Sequence, residues 1–126
     1  MALASLASVA DQPPATIAWL LSQGRKAEGR RVVLEVFVTM EFEGSHVCDL
    51  RQPRIRYREC LSFDIDSGPW ETQADSDRYS AAWESWKKLQ GKRVRLEAMF
   101  VAEPGGHFGM WPGTLEQPRL LATIDG

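Results

Sequence analysis

The sequence predicts a mainly β domain with strands and one long helix in the order β-β-β-α-β-β, preceded by a short N-terminal helix. Three observations carry this. Hydrophobic residues alternate along residues 32–42 and 94–100, the period of half-buried strands. Tyr79, Ala82, Trp83, Trp86 and Leu89 instead recur at the spacing of one buried helix face. Finally, GRRVVLEVFVTMEFEG (29–44) and GKRVRLEAMFVAEPGG (91–106) align without gaps, so two strands do the same job: each leaves a helix, crosses the core and ends in a turn.

A chain of 126 residues supports one domain with its own core, here residues 13–126. Residues 1–12, MALASLASVADQ, read as a flexible tail. The tail has a small-residue SVA before Asp11, yet its first ten residues lack the Lys or Arg of an export signal. The expected compartment is therefore the cytoplasm, with an exported, periplasmic protein as the alternative if the tail is a signal remnant. A net charge of −2 and a pI near 5.7 argue against a surface dominated by phosphate contacts, while leaving room for a local basic patch. No apolar run reaches the length of a membrane helix, so no membrane partner is expected.

In chain order, PPATIAWLLSQG (13–24) is a short helix, with prolines suited to its first turn and Gly24 to its end. VVLEVFVTMEFEG is the first strand, placing Val32, Leu34, Val36, Val38, Met40 and Phe42 inward and Glu35, Phe37 and Glu41 outward. It is longer than an average strand, which calls for a bend or bulge. SHVCDL is a short second strand. IRYRECLSFDID (55–66) is a third, with Ile55, Tyr57, Leu61, Phe63 and Ile65 on one face and Arg54, Arg56, Arg58, Cys60 and Ser62 on the other. SDRYSAAWESWKKLQG is the main helix, capped by Asp75, Ser76 or Asp77 and stopped at Gly91. KRVRLEAMFV directs Val94, Leu96, Ala98 and Phe100 inward, and GTLEQPRLLATID closes the chain as a fifth strand with an edge or bulge at Pro118.

Three strands, a helix and two strands is the order of the OB-fold, a five-stranded Greek-key barrel whose helix plugs one end. Trp83 and Trp86 would be that plug. The motifs also resemble a group of small bacterial OB-fold-like proteins, many of them exported. These carry a GKRVRVxG strand, then EFEG, a second G-x-x-V strand, and a closing motif like GHMGMFSGTL. Here the counterparts are GRRVVLEVFVTMEFEG and GHFGMWPGTL (106–115), within a resemblance spanning about residues 15–122 that is poor over 46–78. The resemblance implies an OB-like barrel and brings no activity, cofactor or catalytic residue with it.

Little in the sequence carries chemistry. His46, His107, Cys48 and Cys60 are the only nitrogen and sulfur donors, and their spacing fits no zinc pattern, so no metal or other cofactor is expected. No nucleophile motif is present, and the carboxylate pairs Asp64/Asp66 and Asp75/Asp77 suit a strand end and a helix cap; no catalytic residue is assigned and the protein is read as a non-enzyme. Cys48 and Cys60 are expected as two small half-buried thiols. They lie equally far from Arg54, so a symmetric hairpin would set them opposite each other and allow a disulfide in an oxidising compartment.

Two surfaces remain. AEPGGHFGMWPGTLEQPRLL (102–121) packs four glycines and three prolines around His107, Phe108, Met110 and Trp111. Either Phe108 and Trp111 fold back to cap the barrel, or the loop 103–113 presents all four side chains to a protein partner or a second copy. The second is the expected function, a non-catalytic binding module. The alternative is single-stranded nucleic acid on Arg51, Arg54, Arg56 and Arg58 with Phe37 as the one stacking surface. Against it, Glu35 and Glu41 on the neighbouring strand would neutralise that stripe.

Overall fold

The computed structural model describes residues 11–52, 54 and 56–124, with the side chain of His107 outside that description. Two helices and five strands follow one another: α1 (Ile17–Gln23), β1 (Arg31–Thr39), β2 (His46–Cys48), β3 (Cys60–Asp64), α2 (Gln73–Lys87), β4 (Arg93–Val101) and β5 (Thr114–Thr123). The strands hydrogen-bond in the ring β1-β2-β3-β5-β4, and β4 returns to β1. All pairs are antiparallel except β3 with β5. The result is a mainly β, five-stranded mixed sheet that closes on itself. Ring closure leaves few unpaired edges, the usual liability of a small sheet.

The core follows from alternation. Val32, Leu34, Val36 and Val38 of β1 and Val94, Leu96, Ala98 and Phe100 of β4 are buried, as expected, with Val47, Leu61, Phe63 and Leu115 completing the interior. Helix α1 adds Ile17 and Leu20. Thr16 caps it, and Asp49 at the end of β2 accepts from the backbone N–H groups of Ile17 (2.9 Å) and Ala18 (3.2 Å), so the helix start is tied to the sheet. Helix α2 buries Trp86 edge-to-face on Phe63 (4.9 Å between ring centres), and Trp83 packs half-buried against the same core.

The structure corrects several element boundaries. The α2 cap is Thr72, with Asp75 as its reciprocal partner, rather than Asp75, Ser76 or Asp77: the Thr72 hydroxyl accepts from Asp75 N–H while the Asp75 carboxylate accepts from Thr72 N–H. Helix α2 therefore begins a turn earlier, and Tyr79 lies exposed instead of inward. β1 ends at Thr39, before Phe42, which is 87% exposed and not a core residue. β3 is only five residues, because Tyr57–Glu59 form a 3-10 turn before it. The arginines 54, 56 and 58 consequently do not share a strand face; Ile55 lies outside the described residues. Pro118 does mark a bulge. Met99 pairs with Glu116 and Glu97 with Arg119, so Gln117 and Pro118 together oppose Ala98.

The sequence echo is a local two-fold. β1 and β4 pair antiparallel with Leu34 opposite Leu96, and the two copies exchange equivalent contacts. Gly29 N–H donates to Phe100 O and Gly91 N–H to Val38 O, both at 2.8 Å. Arg31 meets Glu97 at 3.5 Å and Arg93 meets Glu35 at 3.6 Å. Glu35 is thus neutralised by β4, through Arg93 and Arg95 (3.0 Å), and not by arginines of β3.

Cys48 and Cys60 are register partners 4.5 Å apart at Cα and are joined by a disulfide, which overturns the expectation of two free thiols. Among the described residues no helix is long and apolar enough to cross a membrane.

Candidate functional site

The Gly-rich loop between β4 and β5 is built around Trp111, and Gly106 makes room for it. The Trp111 indole is 2% exposed and covers the Cys48–Cys60 disulfide. His46 stacks on one side of it (4.7 Å, 23°) and Tyr57 meets it edge-on (4.6 Å). A Cβ on Gly106 would overlap the indole, and one on Gly113 would press on Phe100, Leu61 and the Val101 carbonyl. Gly105 and Trp111 bond reciprocally through their backbones at 3.0 and 3.1 Å, closing the loop's base. Trp111 is therefore not presented to a partner; it is the anchor of its loop.

The other expected contact residues separate. Phe108, in a left-handed conformation at φ 56°, is 86% exposed, and Met110 is 43% exposed. His107 occupies the same short 3-10 turn, and its side chain lies outside the described residues. His46 is occupied by its stack on Trp111 and by a hydrogen bond to Gly44 O at 2.7 Å, in which a carbonyl acceptor requires the ring nitrogen to donate. Among the described residues no group of three or more His, Cys, Asp or Glu is arranged to hold a metal ion.

Facing the loop across the sheet is the turn Glu41–Ser45, EFEGS. The Ser45 hydroxyl accepts from Glu41 N–H (3.1 Å) and donates to Glu41 O (3.0 Å), and Glu43 takes φ 57°. A non-glycine residue in that region costs on the order of 1–2 kcal/mol. This braced turn holds Phe42 out in water. Alternation alone placed Phe42 inward; the signal in the sequence was the Phe between two glutamates directly before a glycine.

Between turn and loop lies an open groove of about 580 Å³. Its floor is β3 and the start of β5, and one wall is Tyr79 and Trp83 of α2. Phe42 also lines two smaller depressions, one of about 260 Å³ with Tyr79 and Trp83 and one of about 220 Å³ with Tyr57 and Met110. Met110, Tyr57, Phe42, Tyr79 and Trp83 thus form one apolar band along the mouth. Among the described residues, the groove's charged lining is Glu41, Glu43, Asp64, Glu103 and Glu116, without a lysine or arginine. Burial, then the neighbouring Asp64 and Glu28 carboxylates, hold Glu116 above its ordinary range.

The arginines of the alternative surface divide as well. Arg51 lies over the Phe37 ring (5.1 Å) and, with Lys92 and Arg93, lines a separate depression of about 630 Å³. Arg56 pairs with Glu59 at 3.7 Å, and Arg54 and Arg58 are exposed in the segment before β3. Comparison with protein-family models, with curated proteins and with solved structures finds no match to the chain.

Proposed function

We propose that the closed sheet is an OB-like Greek-key barrel, as the resemblance of its motifs implies, and that it serves as a non-catalytic protein-binding module. The contact surface is the apolar band centred on Phe42, with Met110 and Phe108 on the facing loop. The observation that carries this reading is Phe42 itself: a phenylalanine held 87% exposed by a braced turn, in line with four further apolar side chains. Contiguous exposed apolar surface of this kind, rich in aromatics and methionine, is the composition of an interface core. In OB-folds the loops between strands one and two and between four and five are where ligands are received. Here those loops carry Phe42 and Met110.

The test is site-specific photocrosslinking from position 42 in cells producing the protein, with position 88 on the far end of α2 as control. Discrete adducts from position 42 that disappear in a Tyr79→Ala, Met110→Ala background support the reading. Labelling indistinguishable from the control would count against it. Sedimentation of the purified protein then tells a second copy from another protein.

Two further readings have specific support. The depression lined by Phe37, Arg51, Lys92 and Arg93 favours a polyanion such as single-stranded nucleic acid on that side; Arg54, Arg56 and Arg58 add exposed charge nearby in sequence. Its binding would fall steeply with salt and fail in an Arg51→Glu, Arg93→Glu variant. The disulfide supports an oxidising compartment and hence the exported alternative. Alkylation of freshly lysed cells, with and without prior reduction, reads its state directly.

A further inference from the structure

Elsewhere on this molecule, half-buried or buried carboxylates have an arginine or a helix start as partner, the latter being Asp49 at the first N–H groups of α1. Glu35 has Arg93 and Arg95, Glu97 has Arg31 and Arg119, and Asp66 has Arg78 in contact at 2.9 Å. The groove is different. On its floor Asp64 and Glu116 are register partners across the parallel β3–β5 pair. Asp64 is fixed in place by Asp66 N–H (3.2 Å) and the Ser67 hydroxyl (3.0 Å), neither of which carries a positive charge. The Glu116 side chain makes no hydrogen bond or ion pair among the described residues. Like charges directly opposite each other in a sheet are destabilising; burial first, and then the Asp64 and Glu28 carboxylates, raise the proton affinity of Glu116.

The wall above this pair is aromatic. Tyr79 and Trp83 offer ring surface along the groove, and Phe42 extends it to the mouth. A nucleic-acid strand meets repulsion from the Asp64 and Glu116 carboxylates on the floor. A purely apolar segment leaves Asp64 and Glu116 desolvated and unpaired, at a cost. A lysine or arginine side chain satisfies both halves, its stem against the rings and its head on the carboxylates. The aromatic residues also line two depressions beside the groove, so the segment carries apolar side chains as well.

Building on the reading of this groove as a protein-contact surface, we propose that its occupant is a basic segment of a partner protein. Lys or Arg heads sit on Asp64 and Glu116, and adjacent apolar side chains lie on Phe42, Tyr79 and Trp83. The experiment uses the whole protein and short fluorescein-labelled peptides alternating Lys with Leu, Glu with Leu, and Lys with Ser, followed by anisotropy at low and moderate salt. The expected result is binding of the Lys/Leu peptide, weaker binding of Lys/Ser and none of Glu/Leu. An Asp64→Asn, Glu116→Gln variant that melts no lower than the parent should lose affinity by about tenfold or more, as should Phe42→Ala. Equal binding of the Lys/Leu and Glu/Leu peptides, or full affinity in the charge variant, overturns the proposal. If position 42 still crosslinks a partner in the charge variant, the contact surface stands and only the basic occupant falls. A peptide copying residues 50–58 that competes with Lys/Leu, together with salt-sensitive self-association, supports the basic occupant and identifies it as a second copy.

Discussion

Replacing Trp111 by alanine separates an anchor from a contact residue. The indole is almost fully buried, stacked on His46, met by Tyr57 and seated on the disulfide. Truncating a buried tryptophan to alanine costs about 3–5 kcal/mol, a range that already contains its ring contacts. Unfolding entropy near the midpoint is about 2.1 cal/mol/K per residue. Over 126 residues that is about 0.26 kcal/mol/K, so Tm should fall by about 11–19 °C. Calorimetry on the oxidised protein measures it. Phe42→Ala and Phe108→Ala are the internal controls, since both rings are more than four-fifths exposed and should change stability by less than about 0.5 kcal/mol. A Trp111→Ala protein melting within about 3 °C of the parent would refute the packing described, and would return Trp111 to the list of surface contacts.

Other outcomes follow from the same structure. The disulfide closes a segment with a sequence separation of 12, for which chain-entropy reasoning gives about 3 kcal/mol, so Cys48→Ala, Cys60→Ala should melt about 11 °C lower. Asp75 accepts from the backbone of Glu71 and Thr72 and pairs with Arg78, which brings its pKa down to about 2 from an ordinary 3.8. Its support for the first turn of α2 is complete above pH 3.8 and is lost as pH falls through about 2; carboxyl-carbon NMR should show that midpoint, and Asp75→Asn should remove this acid limb. Glu116 shifts the other way, so its ionisation opposes folding, and that cost appears as pH rises through its raised pKa. Glu116→Gln should therefore raise Tm at neutral pH and leave it unchanged in acid below the ordinary value of 4.5.

The interior was legible because alternation and burial are the same fact in a strand. Val94, Leu96, Ala98 and Phe100 could face only one way once β4 existed, and the echo between residues 29–44 and 91–106 supplied its neighbour. Alternation does not say where a strand stops. It carried β1 past Thr39 and buried Phe42 on paper, although the turn that ends the strand throws that ring outward. The arginine stripe failed for the same reason: IRYR alternates like a strand but precedes and enters a 3-10 turn. Trp111 was ambiguous because its burial depends on a disulfide and a histidine contributed by β2 and β3, partners known only after register is set. The groove needed all three boundaries at once: the end of β1, the earlier start of α2, and the pairing of Asp64 with Glu116.

The Cys48–Cys60 link makes the intervening segment a covalent ring, and Arg54, Arg56 and Arg58 project from it into solvent. A protease that cuts after arginine can open this ring without parting the molecule. The two pieces stay tethered at the neck of the hairpin, and the chain gains one water in mass. Such a nicked form would migrate as intact on a non-reducing gel and as two bands after reduction. An intact band on a non-reducing gel is therefore no proof of an unbroken chain for this protein.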